Sequence, residues 1–185
     1  MRLAFRILTY LSLVVVLGCN NQPTKQKPSV NKAQTECKPY FQFDEVEHYY
    51  QAFEEDSLWD LSEKEKPTAK EKMQVEILLD DAFRQFSDTS IVKSMVEIGF
   101  TKTQISPTNF ERLNNLFCER KHADAVYAAC IAVYRDVLVF KKNNKIVGTA
   151  KICFDCDQSV IMGTTLNTEE FGQSGDYQKL YKILR

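Results

Sequence analysis

The segment Ile131-Ala132-Val133-Tyr134-Arg135-Asp136-Val137-Leu138-Val139-Phe140, then Lys141-Lys142-Asn143-Asn144-Lys145, then Ile146-Val147-Gly148-Thr149-Ala150-Lys151-Ile152-Cys153-Phe154, decides the fold. Two β-rich runs flank a polar stretch in which Asn tolerates positive φ, so residues 131–154 read as an antiparallel hairpin. A two-residue Asn143-Asn144 turn sets Asp136 opposite Lys151, whereas a slip of one residue sets Arg135 there. Opposite charges across the pair favour the first register. In that register Ile131 faces Cys156, and a bulge near Asp155 would bring Cys130 beside Cys156, while Cys153 lies opposite Tyr134.

Downstream, Ser159–Thr164 offers a third strand. Asp176 then reads as the cap of a last helix with Tyr177, Leu180, Tyr181 and Leu184 on one face. Upstream, Ser106-Pro107 opens a helix with Phe110, Leu113, Asn114 and Phe117 inward. Another starts at Ser87 or Asp88, carries Ile91, Val92, Met95 and Val96, and stops at Gly99. Thr68-Ala69-Lys70-Glu71 has the capping-box form ahead of Val75, Leu78, Leu79, Ala82, Phe83 and Phe86 at helical spacing. The stretch Phe43–Phe53 suits helix and strand equally. The expected fold is therefore α+β, with several helices followed by a small antiparallel sheet and a C-terminal helix.

The run Tyr134-Arg135-Asp136, with Leu138-Val139-Phe140, Gly148, Lys151-Ile152-Cys153-Phe154-Asp155-Cys156 and Met162-Gly163-Thr164, resembles a group of uncharacterised bacterial lipoproteins whose C-terminal halves carry a YRD…F…G…KICFxC pattern. The resemblance runs from about Gly99 to the end of the chain and implies no activity.

The N-terminus gives an address. Arg2 and Arg6 precede an apolar run, Ile7 to Leu17, too short to cross a bilayer stably. Val16-Leu17-Gly18-Cys19 resembles a lipoprotein signal, so residues 1–18 are expected to be removed and Cys19 to be lipidated. Leu17 is bulkier than the residue usual there. Residues 19–36 are polar, hold Pro23 and Pro28, and read as a tether. Residues 37–185 are then the single globular domain. Asn20, where some double-membraned bacteria read a retention Asp, leans toward the outer membrane.

The 185 residues carry 24 Lys+Arg against 25 Asp+Glu. That balance excludes a strongly basic nucleic-acid binder. Removing residues 1–18 takes away two Arg and no acid, leaving a net charge of −3. The acids Glu45, Glu47, Glu54, Glu55 and Asp56 read as solvated surface. With His48 and His122 as the only histidines and no Gly-x-Ser-x-Gly elbow, a nucleophilic hydrolase has little support, and no phosphate-cradling glycine loop is present.

Five cysteines remain besides Cys19: Cys37, Cys118, Cys130, Cys153 and Cys156. In an oxidising compartment they admit at most two intrachain bonds in 15 arrangements. Cys130 and Cys156 are the expected staple across the open end of the hairpin. One alternative joins Cys118, His122, Cys153 and Cys156 around zinc, with Cys118 and His122 at i and i+4 on a helix. Another makes Cys153-Phe154-Asp155-Cys156 a redox pair, although its first cysteine ends a strand rather than opening a helix. No cofactor is otherwise called for. The expectation is an envelope lipoprotein acting as an interaction or structural module, its partners the membrane, through its anchor, and an unidentified envelope protein or ligand.

Overall fold

The structure, a computed structural model, describes residues 37–79, 89–126 and 129–185. The lipidation site, the tether, Ala82, Phe83, Phe86 and the helix start at Ser87 or Asp88 lie outside the described residues.

In chain order the elements are β1 (Lys38–Pro39), β2 (Glu45–Tyr50), α1 (Glu55–Ser62), α2 (Ala69–Leu79), α3 (Thr89–Glu97) and β3 (Thr101–Gln104). A 3-10 turn (Pro107–Asn109) leads into α4 (Phe110–Leu116), followed by β4 (Cys118–Glu119), β5 (Asp136–Lys142), β6 (Lys145–Cys153), β7 (Gln158–Met162) and α5 (Asp176–Leu184). The main sheet is antiparallel with order β3-β2-β5-β6-β7, and β1 pairs with β4 in a separate two-stranded sheet.

This corrects the expected layout. The molecule is α+β and closes on a C-terminal helix, but the sheet has five strands, two of which lie in the half expected to be helical. Phe43–Phe53, ambiguous in sequence, contains β2. This strand is flanked by β3 and β5, and its four central side chains, polar Glu47 and His48 included, are all buried, so the polar–apolar alternation that marks a half-exposed strand is missing.

Each face of the sheet carries its own core. On one, Val46, Leu138, Phe140, Ala150 and Ile152 pack with Leu113, Leu116 and Phe117 around α4 and with Tyr177 and Leu180 of α5. On the other, Tyr49, Val137 and Val139 meet Leu58 of α1, Ile77 and Leu78 of α2, and Val92 and Met95 of α3. Burying both faces of a sheet under helices removes large apolar area from water, the main favourable term in folding.

The helix ends follow local chemistry. The Glu71 backbone N–H donates to Thr68 Oγ1 at 3.3 Å, and the Glu71 carboxylate accepts from the Thr68 N–H at 2.7 Å. A hydrogen bond from Lys64, joined by those from Thr68, holds the Glu71 carboxyl down at about 2. Ser106 accepts from the Thr108 N–H, and Gly99 takes φ 113° after α3. Two details differ from expectation. Asp176 is the first residue of α5 rather than its cap, which is Gly175 at φ 69°, and Tyr181 on that helix is half exposed. In α2 the buried side chains are Ile77 and Leu78, while Val75 and Leu79 are only partly covered.

The hairpin turn sits at Asn143-Asn144, with φ of 50° and 61°, the pair of positive angles that a two-residue turn matched to strand twist requires. The register beyond it is not the expected one. Phe140 pairs with Gly148 but Lys141 pairs with Ile146, so Val147 is an extra residue and forms a β-bulge. Val137 therefore faces Lys151, and Asp136 faces Ile152. Because side chains alternate between faces, one inserted residue moves Lys151 to the face opposite Asp136 and abolishes the expected ion pair. Packing gives the reason: a Cβ on Gly148 would run into the Phe41 ring, so this glycine lets Phe41 lie directly on the sheet.

Candidate functional site

The bulge determines what gathers where β5 begins and β6 ends. Asp136, 2% exposed, accepts from His48 Nε2 at 2.7 Å and from Arg185 Nη2 at 2.7 and 2.8 Å. The Arg185 guanidinium also lies 4.2 Å from the centre of the Tyr50 ring, a cation–π placement. Here Asp136 is a buried carboxylate neutralised by donors from β2 and from the residue after α5. A His–Asp pair becomes a hydrolytic dyad only when the imidazole reaches a nucleophile. Held by His48 on one side and by Arg185 on the other, Asp136 ties β2, β5 and the chain end together.

Arg135 points elsewhere. Its Nε donates to the Phe53 carbonyl at 3.0 Å and its Nη1 pairs with Asp155 at 2.6 Å. It forms a wall between two cavities. The smaller, about 190 Å³, lies over Tyr50, Asp136 and Arg185. The larger, about 450 Å³, is lined by Glu55 and Trp59 of α1, by Cys130 and Ile131, and by Arg135 and Asp155. Val133, Cys153 and Cys156 complete its lining. This cleft is the candidate site. Its wall combines an indole, an exposed aliphatic side chain and an ion pair, the mixture expected of a small-ligand or peptide-contact surface.

Cys130 and Cys156 are disulfide-bonded, with Cα atoms 6.1 Å apart and a sequence separation of 26. Cys37 and Cys118 form a second bond, Cα atoms 5.5 Å apart, across 81 positions. Cys153 is a buried free thiol. The bulge that aligns the strand ends is at Val147, not near Asp155, and Tyr134 packs in a small cluster with Ala132 and Cys153.

The helical spacing proposed for a zinc site does not occur. The helix ends at Leu116, Cys118 lies on β4 and is bonded to Cys37, and His122 lies in the following loop. The His122 ring is taken up by Glu170 at 3.3 Å and Ser174 at 2.9 Å, and its backbone N–H donates to Glu170. Among the described residues no group of three or more His, Cys, Asp and Glu could hold a metal ion, and no helix is long and apolar enough to cross a membrane.

Glu47, read from sequence as solvated surface, is 2% exposed. Burial alone would push its carboxyl up, but hydrogen bonds from Lys102, Lys141 and Tyr49 outweigh that and hold it below the ordinary range. The same burial, with the Glu47 carboxylate beside it, pushes the Tyr49 hydroxyl well up. Lys151, fully buried, lies 4.6 Å from the centre of the Tyr134 ring. The available signal was the strand alternation that sets Glu47 and Tyr49 on one face. Comparison with family profiles, with curated proteins and with solved structures gives no match.

Proposed function

We propose that the chain is a lipid-anchored interaction or structural module of the bacterial cell envelope, held at the outer membrane through Cys19, with residues 19–36 as its tether and the cleft beside Trp59 and Arg135 as its contact site. The observation that carries this reading is the pair of disulfides, Cys37–Cys118 and Cys130–Cys156. Such bonds persist in secreted and periplasmic proteins and are rare where thiols are kept reduced. The basic start, apolar run and Gly18-Cys19 supply the export route. A binding module fits the polar interior: the buried carboxylates Glu47 and Asp136 are occupied by Lys102, Lys141, His48 and Arg185. These are structural ion pairs outside the cleft lining, whose own acids are Glu55 and the Arg135-paired Asp155.

The test is fractionation of the full-length protein expressed in a double-membraned bacterium, with mass spectrometry of the mature N-terminal peptide. The wild type should sediment with outer membranes and carry a diacylglyceryl mass on Cys19, and Cys19→Ser should shift to the soluble fraction. A Cys19→Ser protein that stays membrane-bound, with no lipid mass on the wild type, overturns the anchor. Alanine substitutions at the half-buried Trp59 and the exposed Ile131 should leave the cooperative melt in place while reducing capture of a crosslinked envelope partner.

A further inference from the structure

Three of the five cysteines between residues 37 and 185 line one cleft. Cys130 and Cys156 are bonded across it, and Cys153, 1% exposed, is the remaining thiol. Cys153 ends β6 opposite Gln158, the first residue of β7, so residues 154–157 form a four-residue hairpin loop with Asp157 at φ 48°. A reverse turn brings residues three apart to within about 7 Å between Cα atoms, and a disulfide spans about 4.4–6.8 Å. Cys156 packs against the small cluster that holds Cys153, so beside its present partner on the segment before β5 it has an unused one inside its own turn.

We propose that the Cys130–Cys156 bond is exchangeable, with Cys153 as the internal nucleophile, making Cys153-Phe154-Asp155-Cys156 a thiol–disulfide switch. The Cys153 thiol gives up its proton to solvent and the thiolate attacks Cys156 Sγ. The Cys153–Cys156 bond forms, the Cys130–Cys156 bond breaks, and the electron pair leaves on Cys130 Sγ, which takes up a proton. One disulfide and one thiol stand on each side of the step, so no external oxidant or reductant enters.

Burial keeps a bulky external thiol or oxidant from Cys153, whereas Cys156 belongs to its own turn and lines the same cleft. The exchange has a mechanical result. Besides the disulfide, the segment before β5 is tied to this turn by the Gln158 amide donating to the Cys130 carbonyl at 3.0 Å and by the Arg135–Asp155 pair. Ile131, already 69% exposed, follows Cys130 directly. Releasing Cys130 lets that segment swing and widens the cleft beside Trp59. The switch does not depend on the lipid anchor.

The experiment uses the mature protein, incubated at pH 8 without added thiol, quenched in acid and alkylated. Cleavage before Asp155 and Asp157 separates Cys153 from Cys156, and unreduced peptides are then read by mass spectrometry. The Cys153–Cys156 link should appear as a minor species at about 1–10% of the molecules, matched by alkylation at Cys130 and unchanged by tenfold dilution. Cys130→Ser in a glutathione/glutathione disulfide buffer should form the Cys153–Cys156 link almost completely while Cys37–Cys118 persists. A wild type that keeps Cys153 as its sole alkylated thiol after equilibration overturns the switch, as does a Cys130→Ser protein that melts cooperatively with both thiols free. If Cys130→Ser does not fold, the wild-type map alone decides.

Discussion

Replacing Cys37 and Cys118 together by Ala removes the cross-link that encloses β2, α1 to α3, β3 and α4. The two-stranded ladder it accompanies is short: β1 and β4 have two residues each, joined by the Tyr40 N–H donating to the Phe117 carbonyl at 2.8 Å just beyond. The covalent bond is therefore the main constraint at this end. With a sequence separation of 81 between the cysteines, the chain-entropy relation gives a loss of about 4–5 kcal/mol, against about 3–4 kcal/mol for the Cys130–Cys156 loop, where the separation is 26. With a urea slope of about 1–3 kcal/mol per M, the midpoint should fall by about 1–5 M. The slope should also rise, because the unfolded chain is freed to expand. The assay is equilibrium urea unfolding of C37A/C118A beside the wild type, followed by tryptophan fluorescence and far-UV circular dichroism. A loss under about 1 kcal/mol with an unchanged slope would refute the reasoning, since the pair would then not restrict the unfolded chain.

Gly148→Ala should cost about 1–3 kcal/mol through the Phe41 ring, read as a lowered melting temperature, and the double variant with Phe41→Leu should recover part of it. Glu47→Gln should lower stability at neutral pH by about 1–3 kcal/mol. The Glu47 carboxyl is depressed in the folded state, so its contribution is present above the ordinary carboxylate range and is lost as pH falls through its lowered folded value. The gap between wild type and variant should close in acid denaturation profiles, and a gap constant down to pH 2 contradicts this account. Asn144→Val should destabilise the hairpin by about 1–2 kcal/mol because a β-branched residue resists its φ of 61°, whereas Asn144→Gly should be neutral or stabilising in thermal melts.

What the sequence made legible was local chemistry. The Asn143-Asn144 turn, the Thr68–Glu71 capping box, the Ser106 cap and the Gly99 stop each depend on residues within one or two turns of chain, and each is visible as a motif. What it hid came from partners far away. The Val147 bulge is tied to Phe41 lying on Gly148, more than 100 positions upstream, and that one packing event changed the register and the fate of Asp136 and Lys151. Glu47 looked like surface because its two lysines come from the strands on either side of it. At the candidate site, the spacing of Cys153 and Cys156 is written in the chain. The wall that Glu55 and Trp59 build opposite them is not, since α1 docks by a core contact of Leu58 that no short pattern encodes.

The strand order also governs how the chain assembles in time. Strand β2 sits between β3 and β5, so one of its two rows of backbone hydrogen-bonding groups is answered by residues 101–104 and the other by residues 136–141. A chain that emerges N-terminus first leaves the second row unanswered until residues 136–141 follow. During that interval a nascent chain carries a β2–β3 ribbon with one open flank, a template for pairing with another chain. The β5–β6–β7 meander, by contrast, closes through two tight turns as soon as it is made. Arrival of this late, rapidly formed meander is what seals the earlier ribbon.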